Sequence, residues 1–417
     1  PPATQGGPAL IDIHLARAEP ERFRTALARK GAAAIFDEFL TLDQAWRLEA
    51  ARVEQLRAAT KPKGRPDDAA RQALAAAKAE LRLAEESFAG TTARRDALLA
   101  QIPNPPDPSA PDGTADEDAV ELRRVGEPPE FSFEPKDHLA LGAFAVEKAA
   151  QLSGARFAYR IGDVALVELA LYRYALGRAI AHGFTPVLPP VLVRESAMFG
   201  TGFLPTDEAN LYRVEPDGLY LTGTSEVALA GLHAGEILEA SALPRRYAGY
   251  STCFRREAGA AGRDTRGIFR VHQFDKVEMF VFATPEQSAA EHEAILSVEE
   301  EIIGGLGLAY RVVNIAAGDL GPSAVKKYDI EGWIPSQARY RELTSCSNTT
   351  DFQARRLNIR VRGTEGIRAL HTLNGTAITA RSLIALLETY QRADGSVDTP
   401  EVLVALGAPA RLAPAGA

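Results

Sequence analysis

The chain has 417 residues, 46% of them hydrophobic and 24% charged, with a net charge of -8. That length supports two or more domains, one of them large, and the acidic balance excludes indiscriminate nucleic-acid binding, which relies on a broad basic surface; no DNA partner is expected. With no apolar run near the roughly 18 residues of a membrane span and no basic-then-apolar leader, no membrane association and a cytoplasmic location are expected.

Pro1 to Pro8 reads as a frayed tail. From Leu40 to about Ile102 the pattern is helical in two pieces, broken by Lys61-Pro62-Lys63-Gly64-Arg65-Pro66, whose prolines and glycine cannot continue a helix. Leu74, Ala77, Leu81, Ala84, Phe88, Thr91, Arg95, Leu98 and Ile102 recur every three or four residues, which predicts a coiled-coil seam weakened at Thr91 and Arg95. Leu42, Trp46, Val53 and Leu56 repeat the register in the first piece, with Glu49 as its poor position. An antiparallel helical hairpin with a basic tip follows. The predicted organisation is a helical arm over residues 1–104, a proline-rich acidic linker over 105–126, a second domain mixing helices and alternating strands over 127–405, and a disordered tail over 406–417.

Within the second domain, Ser251 to Phe280 reads as two strands joined by a glycine-bearing loop at Ala258 to Gly267. A period of two puts Arg255 and Glu257 on one face of the first strand, and Arg270, Phe274 and Glu278 on one face of the second. Unpaired charges buried there would cost several kcal/mol each, so the face is solvated or binds a polar ligand. From Arg245 to Lys276 the chain is a basic island, with Arg246, Arg256, Arg263 and Arg266 adding to the arginines already named. Further on, Asn374 to Arg381 runs into an amphipathic helix whose apolar face is Leu383, Ile384, Leu387 and Tyr390; an arginine at a helix start is mildly disfavoured by the dipole. Cys253 and Cys346 sit inside motif-like segments, so a reducing compartment fits better than a disulfide. No Cys/His spacing suits zinc.

These segments carry a resemblance. Phe254-Arg255-Arg256-Glu257 with Arg270 on the following strand resembles motif 2 of class II aminoacyl-tRNA synthetases, Asn374 to Arg381 resembles motif 3, and Gly183-Phe184-Thr185-Pro186-Val187-Leu188-Pro189-Pro190 resembles motif 1, the dimer-forming segment. Thr222-Gly223-Thr224-Ser225-Glu226, Lys276-Val277-Glu278 and Arg341 to Asn348 are similar to the seryl-tRNA synthetase family in particular, as is Asp351-Phe352-Gln353-Ala354-Arg355-Arg356. The fold implied is α+β: an N-terminal coiled-coil hairpin that grips tRNA(Ser), then a class II catalytic domain with an antiparallel sheet flanked by helices. The activity implied is serine activation with ATP and transfer to tRNA(Ser), and to tRNA(Sec) where present, by a homodimer.

By motif match, Arg255 binds the α-phosphate, Glu257 the adenine amino group, Phe274 one face of the ring, Arg270 its other face or the γ-phosphate, and the Val271 backbone and Arg256 the nucleotide. Arg381 binds the γ-phosphate and shares the catalytic role with Arg255. Glu342, Leu343, Thr344 and Ser345 hold ATP, with Glu342 and Ser345 on Mg²⁺; a flat strand puts those two on opposite faces, so a bend or bulge is required. Serine is held by Thr224, Ser225, Glu226, Arg255, Glu278, Asn374 and Thr376. Two departures stand out: Asn374 and Arg381 are seven positions apart, one fewer than in the usual form of the motif, and the arm is shorter than usual. An amino acid:carrier protein ligase would lack the arm, a non-catalytic paralogue would lack the intact set of charged residues, and a threonine or proline enzyme would lack the serine segments.

Overall fold

The computed structural model describes residues 11–61, 68–259, 262, 264 and 266–414. The expected frayed tail, most of the hairpin tip and residues 415–417 lie outside the described residues. The chain divides into two compact units, Pro1–Pro105 and Pro106–Ala417.

In the first unit, α1 (Ile13–Ala18) is capped by Asp12, whose Oδ1 accepts from the Leu15 amide at 2.9 Å. It is followed by α2 (Pro20–Ala28), opened by a proline, and by the long pair α3 (Ala33–Ala59) and α4 (Asp68–Gln101). The pair is antiparallel: Trp46 Nε1 donates to Thr92 Oγ1 at 2.9 Å, while further along the pair Arg52 Nη2 donates to Glu80 Oε1 at 2.6 Å. The seam residues of α4 are half-buried to buried on one stripe. The first helix begins at Ala33 rather than Leu40, because the stripe extends upstream through Phe36 and Phe39, both fully buried, with Phe23 of α2 stacked on Phe36 at 6.0 Å. Arg95 is accommodated by a buried carboxylate: Asp43 Oδ1 accepts from Arg95 Nε at 2.8 Å and Arg17 Nη2 at 2.7 Å, and the Arg95 guanidinium lies 4.6 Å from the Trp46 ring centroid.

The second unit is built on an eight-stranded sheet of β1 (Val120–Val125), β2 (Thr185–Val187), β3 (Arg245–Phe254), β4 (Gln273–Ala283), β5 (Tyr310–Asn314), β6 (Lys326–Ile334), β7 (Arg339–Thr350) and β8 (His371–Thr379). The spatial order is β1-β5-β6-β7-β8-β4-β3-β2, antiparallel throughout except for the β2–β3 pair. Alternation sorts the side chains of β4. Val277, Met279 and Val281 enter a core with α5 (Asp163–Ala181), α8 (Ser288–Gly305) and α10 (Ala380–Thr389). Phe280 and Phe282, of opposite parity, pack with Leu229 of α7 (Glu226–Gly231) and with Ala354 and Leu357 of α9 (Phe352–Leu357). The short α6 (Glu195–Thr201) lies against α9 and α7. Among the described residues no helix is long and apolar enough to cross a membrane.

Two segments are more ordered than their composition suggests. Residues expected as a linker supply β1, paired with β5, and Ala110, buried beside Val313 and Ile315. Edge strands are commonly charged and exposed, as β1 is along its whole length, so the composition hid it. At the C-terminus, Arg411 and Leu412 pair with Asp398 and Val397, and Ala408 and Leu412 are buried in the main core.

Candidate active site

A cleft of about 550 Å³ opens on the face of β4 opposite the α5/α8/α10 core. Phe274, Lys276 and Glu278 line it from β4, as their common parity with Phe280 requires. The neighbouring strands reach it by breaking their alternation. Opposite Ile330 and Glu331 of β6 stand Thr344 and Glu342, leaving Leu343 as an extra residue. This bulge lets Leu343 and Thr344 both face the helices, and brings Glu342 and Ser345 into one cleft. In β8 the register against β4 jumps at Ala377, so that Ala377 and Ile378 both enter the core while Thr376 and Thr379 line the cleft. Thr379 then caps α10: its Oγ1 accepts from the Arg381 amide at 3.2 Å. The arginine is the second residue of a helix buried over almost its whole circumference.

The β3–β4 hairpin is shorter than its parity reading implied. Pairing ends at Phe254 and Gln273, so Arg255, Glu257 and Arg270 lie in the connecting loop and not on strand faces. The loop base is tied by the Arg255 amide to the His272 carbonyl at 2.9 Å. Arg255 Nε donates to the Gly223 carbonyl at 3.2 Å, and its guanidinium lies 5.4 Å from the Phe274 ring centroid. No carboxylate pairs with it among the described residues. Glu257 sits at φ +53°, in the left-handed region that a long side chain seldom occupies, and its Oε2 accepts from Arg270 Nη1 at 2.7 Å. Arg341 holds the loop from β7 by a fork onto Asp264, at 3.0 and 2.7 Å. The Phe269 ring carries the Arg341 guanidinium at 3.8 Å and that of Arg381 at 4.8 Å. Arg381 Nη1 also pairs with Glu342 Oε2 at 2.9 Å. Burial alone would raise the Glu342 carboxyl, but Arg381 and Lys327 bring it down to about 2.

The other part of the cleft is acidic. Glu226 and Glu278 are both buried; Lys276 pairs with Glu278, and Thr376 Oγ1 donates to Glu278 Oε2 at 3.3 Å. Glu226 Oε1 accepts from Asn374 Nδ2 at 2.9 Å. Burial, then repulsion from Glu278, raises the Glu226 carboxyl to about 7.

Of the residues expected at the site, Thr224, Glu226, Arg255, Glu257, Arg270, Val271, Phe274, Glu278, Glu342, Leu343, Ser345, Asn374, Thr376 and Arg381 line this cleft. Three turn elsewhere. Ser225 Oγ donates to the Gly249 carbonyl at 3.2 Å, Arg256 lies 5.6 Å from the Tyr212 ring, and Thr344 Oγ1 donates to Glu299 Oε2 at 3.4 Å. Lys276, Lys327 and Phe269 line the cleft without having been singled out for it. Lys276 shares the parity of Glu278, a signal present in the sequence; nothing local marks the other two. In the basic island, Arg246 is neutralised by a fork onto Glu291, at 2.8 and 2.6 Å. The Asp351–Arg356 segment exposes neither arginine freely: Arg355 pairs with Asp351 at 2.6 Å, and Arg356 is buried against the Phe352 ring at 4.1 Å.

A mostly antiparallel sheet carrying an arginine-bearing loop and a helix-opening arginine defines a class II synthetase, and residues 212–390 match the family described as tRNA synthetase class II core domain (G, H, P, S and T). Residues 10–106 match the seryl-tRNA synthetase N-terminal domain. The chain is 51% identical to a serine--tRNA ligase of Acidothermus cellulolyticus, over 94% of this chain and 97% of that one, and 49% identical to one of Thermobifida fusca, over 94% and 96%. Its fold superposes with a TM-score of 0.90, at 39% identity and over 97% and 99% of the two chains, on a seryl-tRNA synthetase from Pyrococcus horikoshii complexed with ATP. The chain belongs to the seryl-tRNA synthetase family.

Proposed function

We propose that the cleft condenses L-serine with ATP to seryl-adenylate and pyrophosphate, and then passes the seryl group to the terminal ribose of tRNA(Ser). The observation that carries this reading is the charge layout: two buried carboxylates, Glu226 and Glu278, at one part of the cleft and the open guanidinium of Arg255 between them and the Arg381 end. An ammonium relieves the repulsion of the carboxylates. Glu278, Thr376 and Thr224 supply partners for a hydroxyl, and such a pocket rejects an analogue lacking it by roughly 10⁴–10⁵, because its own polar groups would stay unpaired.

Arg255 takes the α-phosphate and the serine carboxylate through its planar fork. The carboxylate attacks the α-phosphorus in line and pyrophosphate leaves; no protein nucleophile is needed, and the arginines act by positioning and charge stabilisation. Glu257, Arg270, Val271 and Phe274 take the adenine, and Arg381 the γ-phosphate. Glu342 and Ser345 offer hard oxygen donors on one side of the bulge, and the ionised Glu342 suits Mg²⁺. Among the described residues no cluster of three or more metal-binding side chains occurs, which fits an ion completed by phosphates and water. Bound there, Mg²⁺ would neutralise phosphate charge.

The helical pair α3/α4 takes the tRNA, the enzyme works in the cytoplasm, and the segment Gly183 to Pro190, with Leu188 82% exposed, forms a homodimer contact. Serine-dependent ATP–pyrophosphate exchange against a panel of amino acids, followed by charging of tRNA(Ser), tests the assignment. Exchange with serine alone is expected. Exchange driven by threonine, proline or no amino acid overturns it.

A further inference from the structure

The segment Asp351 to Arg356 contributes no side chain to the cleft lining, yet its Gln353 is fully buried directly behind it. Gln353 Nε2 donates to Glu226 Oε1 at 2.7 Å and to the Thr201 carbonyl at 3.3 Å. Its Oε1 accepts from Thr372 Oγ1 at 2.9 Å, and the Thr372 and Thr349 hydroxyls lie 2.6 Å apart. A hydrogen-bonded chain therefore runs from Thr349, near the end of β7, across β8 and α9 to the acidic end of the cleft. It determines which way the amide faces, because only its NH₂ side can meet a carboxylate.

We propose that Gln353 is a positioning residue for serine recognition, holding Glu226 through Oε1 so that Oε2 is presented to the substrate ammonium. The inference rests on the reading of Glu226 as a serine ligand. Asn374 Nδ2 converges on the same Oε1 at 2.9 Å, and among the described residues no hydrogen bond ends on Oε2. With one oxygen fixed by two amides the carboxylate cannot rotate, and the other remains for the ligand. A second consequence is electrostatic. The groups facing Glu226 are Glu278, which repels it, Lys276 and Arg255, which attract it, and the neutral Asn374 and Thr224. Burial and Glu278 favour the protonated form, whereas the Gln353 hydrogen bond favours the charged one. An amide donor in that position favours the ionised form of a crowded carboxylate without adding a charge to the pocket.

The test uses the full-length enzyme and Gln353→Met, which keeps the volume and removes the amide. Loss of one buried hydrogen bond to a charged group corresponds to about a ten- to hundredfold rise in serine KM, with ATP KM unchanged in pyrophosphate exchange. Because Glu226 then ionises at higher pH, the serine KM of the variant is expected to fall more steeply than that of the wild type between about pH 6.5 and 8.5. An unchanged serine KM, or parallel pH profiles, overturns the proposal; so does a loss shared equally by serine and ATP, the mark of a merely structural role. If Gln353→Met does not fold, Thr372→Val, which removes the hydroxyl orienting the amide, is held to the same criteria. Glu226→Gln separates the two layers of argument. If it leaves serine KM unaltered, the reading of Glu226 as ligand falls; if it raises serine KM while Gln353→Met does not, only the role of Gln353 falls.

Discussion

Arg381 Nη1 lies 2.9 Å from Glu342 Oε2, joining a helix start to a strand bulge at the end of the cleft proposed to take phosphate. Each partner owes its place to a departure from regular structure: Glu342 to the extra residue Leu343 in β7, and Arg381 to the cap that Thr379 places after the Ala377 bulge. An arginine whose charge acts as phosphate charge redistributes should matter more in the transition state than in the ground state. Arg381→Ala is expected to lower the exchange rate constant by about 10²–10³-fold with a smaller change in ATP KM. Arg381→Lys should recover little, since a point charge does not replace the planar fork. Near-normal exchange in Arg381→Ala would remove Arg381 from the mechanism; near-normal exchange in Arg381→Lys would show that a point charge suffices there.

The helical arm depends on a buried charge centre. Asp43 is fully buried and receives Arg17 and Arg95. Asp43→Ala leaves the buried Arg95, the half-buried Arg17 and the more exposed Arg47 without this carboxylate and should destabilise the first unit by about 3–5 kcal/mol, whereas replacing Asp43 and Arg95 together by Leu and Met should restore much of the loss. Burial works to raise the Asp43 carboxyl, but the hydrogen bonds from Arg17 and Arg95 outweigh it and hold the pKa below its ordinary value. A lowered folded-state pKa means that this contribution is fully present above the unfolded value of about 3.9 and is lost as pH falls through the lower folded one. Thermal melts of wild type and Asp43→Ala should therefore converge towards acid; a constant gap would contradict the assignment.

Heptad and period-two patterns made the hairpin and the paired strands legible, because each is a local repeat, whereas the motif-bearing segments were legible through their resemblance to a family. What stayed hidden was non-local or irregular. Arg95 looked like a flaw in the seam, since its partner Asp43 lies 52 residues away in the other helix. The strand parity of Glu342 and Ser345 demanded a bulge, but Leu343 has no side-chain chemistry that marks it as the extra residue. Parity also failed for Arg255 and Glu257, because the ladder ends at Phe254 and a positive φ at a glutamate has no sequence signature. The acidic, proline-rich stretch read as a linker because an exposed edge strand and a linker share a composition.

The cleft residues all lie within the second compact unit, Pro106–Ala417, while the seam and its charge centre lie within the first. Removing residues 1–105 should therefore leave serine-dependent pyrophosphate exchange close to that of the intact chain. Charging should disappear at tRNA(Ser) concentrations that saturate the intact enzyme. Survival of charging would refute the tRNA-binding role of the arm; loss of exchange would show that the cleft depends on it.

Gly375 separates the two β8 residues assigned to serine, Asn374 and Thr376, and faces α8. A Cβ placed there would stand 2.3 Å from Ile295 Cγ2, 2.8 Å from Glu299 Oε1 and 3.1 Å from Cys346 Cβ. Ile295 and Glu299 are one helical turn apart on a buried face, so neither can yield without moving α8 or the strand. Gly375→Ala is expected to cost about 1–3 kcal/mol through overpacking, lowering the melting temperature by several degrees. Serine KM should rise as well, because displacement of β8 moves the Asn374 amide away from Glu226, to which it donates at 2.9 Å. Ile295→Ala in the same chain supplies the control: it removes the nearest obstacle, so the double variant should be more stable than the sum of the two single effects. Additive losses would show that the cost of Gly375→Ala does not lie in the contact with Ile295.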